Sequence, residues 1–175
     1  NLNTDILKNL HKIPHDIDLI VGVPRSGMLP ANLLALYLNK QYTDIDSFLD
    51  GRVYDTGDRG TYIEKGKREK ILIVDDSIYS GSALKKVKNK IAKSNIDKES
   101  YDIKYCVIYS NSISKKLVDI YCTIIDGPRV FQWNIFHHKE FVNKACYDID
   151  GVLCPNPPLD DDGPQYLEYI KNAPL

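Results

Sequence analysis

Two adjacent carboxylates, Asp75 and Asp76, close the apolar run Ile71-Leu72-Ile73-Val74. Three serine hydroxyls follow within six residues, on Ser77, Ser80 and Ser82, with Gly81 among them. Ionised carboxylates accept hydrogen bonds, so the pair suits sugar hydroxyls or a hydrated Mg²⁺. Hydroxyls donate, and a glycine lets backbone N–H groups come close, so the second half suits a phosphate. A site with both halves would hold a phosphorylated sugar.

The elements that must position these groups are legible on either side. Four consecutive apolar residues read as a buried strand, and Leu84, Val87 and Ile91 form one stripe of a helix behind the loop. Ligands of open α/β sheets lie at the carboxyl ends of strands, and a helix start offers free N–H groups to an anion. The same arrangement occurs earlier. Leu19-Ile20-Val21-Gly22-Val23 reads as a short buried strand, Pro24-Arg25-Ser26-Gly27 as a loop, and Met28 to Leu38 as a helix. That helix is apolar nearly all round, which predicts that it is well covered.

Asp75 to Ala83 resembles the phosphoribosyl pyrophosphate (PRPP) motif of type I phosphoribosyltransferases. In that family two acids precede three variable residues (here Ser77, Ile78 and Tyr79), then Ser or Thr, Gly, any residue, and Ser or Thr. Ser80, Gly81, Ser82 and Ala83 follow in register, with Ser82 near the final hydroxyl position. The resemblance implies that Asp75 and Asp76 hold the ribose 2′- and 3′-hydroxyls, with Mg²⁺ as cofactor. It implies that Ser77, Ile78, Tyr79, Ser80, Gly81 and Ser82 hold the 5′-phosphate. Gly22 to Gly27 is similar to the family's pyrophosphate loop, with Ser26 where many members have Gly. Arg25, Ser26 and Gly27 would then hold pyrophosphate, and a cis peptide is expected near Arg25-Ser26. The implied reaction transfers ribose 5-phosphate from PRPP to a nitrogenous base. Two other readings stay open: a non-catalytic PRPP- or nucleotide-binding regulator, and the accessory half of a phosphohydrolase.

Between the motifs, residues 51–70 are polar and Gly-rich, and carry six basic side chains. A stretch this long without apolar period is functional or disordered. In the family a mobile loop here closes over the site, with Arg52 or Arg59 as candidates to reach pyrophosphate. Thr4 is expected to cap a first helix ended by Pro14, and residues 105–109 and 120–125 to be further strands. Phe131-Gln132-Trp133-Asn134 is similar to the Phe-Pro-Trp-acid segment of the hood over the base in purine-type members. Gln132 and Asn134 replace the Pro and the acid, which weakens any expectation of purine specificity. His137 and His138 are read as surface or hood residues.

The fold expected is α/β, a three-layer domain with a central parallel sheet, type I phosphoribosyltransferase-like, over residues 1–142. Residues 143–175 carry a different signature. Asp148-Ile149-Asp150-Gly151-Val152-Leu153 resembles the first motif of haloacid-dehalogenase-type (HAD) hydrolases, in which Asp148 would be the nucleophile, Asp150 the acid/base, and both would meet Mg²⁺. The later motifs of such an enzyme do not follow, so this segment reads as the incomplete start of a HAD-like part. The chain also begins at Asn, which fits a fragment of a fused protein.

At 175 residues and 43% apolar content, one ordinary domain with a real core is expected. The formal net charge of −1 points to neither nucleic acid nor an anionic membrane. No apolar run reaches transmembrane length. Cys106, Cys122, Cys146 and Cys154 form no C-x-x-C pair, and the first three are read as buried thiols of a reducing cytoplasm. The partners expected are small molecules (PRPP, a nucleobase-like acceptor and pyrophosphate), and a homodimer is an assembly the family allows.

Overall fold

The computed structural model describes residues 1–54, 57, 68–144, 146, 155 and 164–172. Backbone contacts divide the chain into two compact units, Asn1–Arg129 and Val130–Leu175. The first unit holds a five-stranded, wholly parallel sheet in the order β2-β1-β3-β4-β5. Its strands are β1 (Leu19–Gly22), β2 (Gln41–Asp44), β3 (Glu69–Ser77), β4 (Tyr101–Ser110) and β5 (Ile120–Ile124). Its helices are α1 (Leu2–Asn9), α2 (Met28–Leu38), α3 (Ile45–Leu49) and α4 (Ser82–Lys93).

Alternation along the strands sorts side chains to two faces. Leu19, Val21, Ile71 and Ile73 point one way and pack against Ile45 and Phe48 of α3 and Val87 and Ile91 of α4. On the other face, a Cβ at Gly22 would meet Met28 Sδ at 2.7 Å and Ala31 Cβ at 3.0 Å, so α2 lies tight on the strand there. The sheet therefore runs between two helical layers, as expected, and its central strands are apolar on both faces because both are covered. Ile20, Val21, Leu72 and Val74 have no exposed surface.

Strand order places the switch point between β1 and β3. The chain leaves β1 toward β2 at one edge, then returns past β1 to β3 and continues to β5 at the other. In open sheets of this kind the crevice at the switch point is where ligands bind.

Several expectations are corrected. Asn1, not Thr4, caps α1, its Oδ1 accepting from Asn3 N at 3.1 Å. β3 runs three residues beyond the apolar stretch, because pairing with β4 continues through Asp75↔Val107 and Ser77↔Tyr109. The β4–β5 connection carries only a 3₁₀ turn, Ser114–Leu117, and no α-helix. α2 is not covered all round, since only the stripe toward the sheet is buried and Leu36 is 70% exposed. Cys106 and Cys122 are buried as expected, whereas Cys146 is exposed. β2 and α3 had no counterpart in the sequence reading.

The second unit includes a 3₁₀ turn (Ile135–His137), α5 (Lys139–Val142) and α6 (Pro164–Asn172). Phe131 and Trp133 stack on one another with centroids 4.8 Å apart and planes at 8°. Phe131 N donates to Asn134 Oδ1 at 2.8 Å, so Asn134 closes this turn. His137 is exposed and His138 half-buried. Asp148, Asp150 and Cys154, and most of residues 51–70 including Arg59, lie outside the described residues.

Candidate functional site

Both loops singled out by sequence leave the sheet at the switch point. The first follows β1 and the second follows β3, its direct neighbour. Val23 N donates to Val74 O at 2.9 Å, which ties the start of the first loop to the strand bearing the acids. Gly27 is packed into that junction. A Cβ there would lie 2.5 Å from Val23 O, 2.8 Å from Val74 O and 2.9 Å from Asp75 Cα. Only glycine fits, and its bareness sets the spacing between the loop and Asp75.

The Pro24-Arg25 peptide is cis, one bond earlier than expected from the resemblance. Pro24 and Arg25 are exposed, and Ser26 is half-buried. Gly27 is the N-cap of α2, where Met28 N and Leu29 N reach Arg25 O and Ser26 O only at 3.4 and 3.3 Å. The loop thus carries one exposed arginine and leads into the start of α2, and Arg25, Ser26 and Gly27 are not among the residues lining the pocket on the α4 side of β3.

Asp75 and Asp76 lie within β3, so their side chains leave on opposite faces. Asp76 is 5% exposed. Asp76 N donates to Asp75 Oδ1 at 2.9 Å, and Ser77 Oγ donates to Asp76 Oδ1 at 3.3 Å. Burial, then the neighbouring Asp76 charge, pushes the Asp75 carboxyl up to about 7; the Asp76 N–H and the Arg129 charge act the other way. Two acids this close repel when both ionise, and sugar hydroxyls or a cation would relieve them.

The second loop is held from below. Ile78 is buried and its N–H donates to Tyr109 O at 2.9 Å, so Ile78 anchors the loop and its N–H is spent there. Ser114 Oγ donates to Tyr79 O. Gly81 has φ +77°, and a Cβ on it would meet Leu117 Cδ1 at 2.8 Å. The left-handed backbone favours glycine here, and the flexible end of Leu117 lies close against it. Gly81 is also the N-cap of α4 and brings no capping side chain. Ser80 Oγ donates to Ser82 Oγ at 3.1 Å and accepts from Ser82 N at 3.4 Å. Hydroxyls and first-turn N–H groups gather there, an arrangement suited to a phosphate.

A pocket opens on the α4 side of β3, lined among others by Asp75, Ser77, Tyr79, Ser80, Gly81 and Ser82. It is also lined by Arg129, which belongs to none of the sequence motifs. Its Nη1 donates to Ser77 Oγ at 3.0 Å and its guanidinium lies 5.1 Å from the Tyr79 ring centroid. The only signal for it was a basic residue a few positions beyond a strand end. Arg52 is exposed and pairs with Asp50 at 2.9 Å.

Among the described residues no three acidic, His or Cys side chains gather as a metal site. The acid pair still fits Mg²⁺, which keeps its waters and binds through one or two carboxylates plus substrate oxygens.

A purine phosphoribosyltransferase from Pyrococcus horikoshii superposes with TM-score 0.52 at 23% identity, over 75% of this chain and 87% of that one. A Helicobacter pylori xanthine-guanine-hypoxanthine phosphoribosyltransferase matches with TM-score 0.47 at 18% identity, over 73% and 81%. An orotate phosphoribosyltransferase from Aeropyrum pernix matches with TM-score 0.46 at 17% identity, over 70% and 68%. The first of these speaks for a shared fold. The family model described as "Phosphoribosyl transferase domain" matches residues 2–143. With most of its length inside that match, the chain belongs to the phosphoribosyl transferase family and is a phosphoribosyltransferase.

Proposed function

We propose that the chain transfers ribose 5-phosphate from PRPP to a nitrogenous base and releases pyrophosphate. One observation carries this reading: both phosphate-type loops meet at the switch point, fastened by the Val23–Val74 hydrogen bond and by Gly27 against Asp75. A substrate with a phosphate at one end and a pyrophosphate at the other needs two such loops, with hydroxyl acceptors between them.

Asp75 and Asp76 accept the ribose hydroxyls. Ser80, Gly81 and Ser82 receive the 5′-phosphate at the start of α4. Arg25, Ser26 and Gly27 take the pyrophosphate at the start of α2. Mg²⁺, when bound, neutralises the pyrophosphate as it leaves. As the bond from C1′ to pyrophosphate breaks, positive charge grows on the ribose, and the buried carboxylates stabilise it. No side chain need attack carbon. Catalysis is then mainly positioning and charge stabilisation, and the proton that the acceptor nitrogen loses leaves with the products.

The test is turnover. Pyrophosphate release from PRPP and Mg²⁺ is measured with a panel of bases, for the wild type and for Asp75→Asn with Asp76→Asn. The reading expects release with at least one base and none from the folded variant. Equal activity in both removes the acids from the reaction.

A further inference from the structure

A phosphate cradle built from backbone N–H groups depends on which way each peptide faces. A trans peptide holds its C=O and the following N–H on opposite sides, so fixing one fixes the other. The Tyr79–Ser80 peptide is trans, since Pro24-Arg25 is the one cis bond among the described residues. Its carbonyl is held, because Ser114 Oγ donates to Tyr79 O. The Ser80 N–H therefore points away from Ser114. Among the described residues neither it nor the Gly81 N–H meets an acceptor. Were this peptide to turn over, the carbonyl oxygen would stand where the N–H stands and would repel an anion.

Ser114 is itself fixed. It opens the 3₁₀ turn that joins β4 to β5 and is only 3% exposed. Asn111 Oδ1 accepts from Ile113 N at 3.0 Å and from Ser114 N at 2.6 Å. Ser112 fastens the start of the turn, its N–H and Oγ donating to Asp126 at 2.8 and 2.7 Å. Leu117 of the same turn packs close under Gly81. A serine hydroxyl has one proton to give, and here it goes to the Tyr79 carbonyl. The loop after β3 supplies the phosphate donors, and a residue 35 positions beyond Tyr79, outside every motif, decides which way one of them faces.

We infer that Ser114 is a positioning residue for the 5′-phosphate: by holding the Tyr79 carbonyl it keeps the Ser80 N–H turned toward the phosphate. This inference rests on the donor-site reading proposed above. Ser114 touches no substrate and acts only through the Tyr79–Ser80 peptide. The loop after β1 is fastened elsewhere, by Val23 N on Val74 O, so the effect is confined to the phosphate end of the donor.

The experiment compares wild type, Ser114→Ala and Ser112→Ala, each checked for its melting transition. Ser112→Ala loosens the same turn but leaves the hydrogen bond to Tyr79. Calorimetry gives the affinities for ribose 5-phosphate and for pyrophosphate with Mg²⁺, and steady-state kinetics the KM for PRPP and kcat. Ser114→Ala should bind ribose 5-phosphate about tenfold to a hundredfold more weakly, the worth of a hydrogen bond to a charged group. Its pyrophosphate affinity and kcat should stay within about threefold of wild type while the KM for PRPP rises, the signature of lost uniform binding. Ser112→Ala should stay within about threefold of wild type for both ligands. If the folded wild type binds neither PRPP nor ribose 5-phosphate, the donor-site reading fails and this inference with it. If it binds them and Ser114→Ala binds ribose 5-phosphate as well as wild type does, the inference alone is overturned. Equal losses for both ligands, or a loss in Ser112→Ala as large as in Ser114→Ala, also overturn it. Should Ser114→Ala not fold, Ser114→Cys, close in size and a weak donor, is judged by the same outcomes.

Discussion

Replacing Asp75 by Asn should make the ligand-free protein more stable, by a margin that grows as pH rises from 3.8 to about 7 and is full above it. The native carboxyl is pushed up to about 7, from an ordinary 3.8, by burial and by Asp76. Between those values the native state holds a proton that the unfolded chain has lost. Stability therefore falls as pH rises through this window, and the full penalty is present above it. At 1.36 kcal/mol per unit the difference amounts to about 4 kcal/mol. Asn has the same shape, keeps an oxygen for the Asp76 N–H, and carries no charge. Urea unfolding of both proteins near pH 4, 6 and 8 gives the test, with the difference between them cancelling other titrating groups. The gain from Asn should be close to zero at the acid end and approach the full value at the alkaline end. A gain independent of pH, or a loss at pH 8, would refute the argument that the pair is held charged at a cost. Such a cost is expected where a site is shaped for a ligand that relieves it.

Three further outcomes follow. PRPP affinity with Mg²⁺ should rise by up to tenfold per pH unit below the Asp75 value of about 7 and level off above it, since the ribose hydroxyls require the ionised pair; calorimetry across that range reads the slope. Gly27→Ala should cost about 1–3 kcal/mol in urea unfolding and weaken PRPP binding together, because the new methyl lies 2.9 Å from Asp75 Cα. Asp44→Ala should cost about 1 kcal/mol, because Asp44 Oδ1 accepts from Asp46 N and Ser47 N at the start of α3. Burial alone would raise the Asp44 carboxyl. Hydrogen bonds from Tyr54 and Ser47 outweigh it and bring the group down to about 2, so this contribution is lost as pH falls from 3.8 through that value.

The central strands and both loops were legible because their signals are local. Ile71 to Val74 are apolar together only because β3 is covered on both faces, and the break to Asp75 marks where the crevice begins. What stayed hidden depends on contacts far apart in sequence. β2 is a four-residue edge strand whose residues Gln41, Tyr42, Thr43 and Asp44 carry no clear period, and α3 is too short for a helical one. Thr43 is buried although polar, because its hydroxyl donates to Arg52 O at 3.0 Å. The role of Gly27 looked like that of any loop glycine until Val74 O and Asp75 Cα were placed beside it. Arg129 lies 52 positions from Ser77, and no spacing rule joins them. The apolar periphery of α2 misled in the opposite direction: Leu29 and Leu36 are exposed, although composition alone argued for cover.

The most direct test of the account is calorimetric titration of PRPP with Mg²⁺ into the wild type and into the protein carrying Asp75→Asn and Asp76→Asn. The account predicts saturable binding in the wild type and its loss in a variant that remains folded. Absence of binding in the wild type, or equal binding in both, would contradict it.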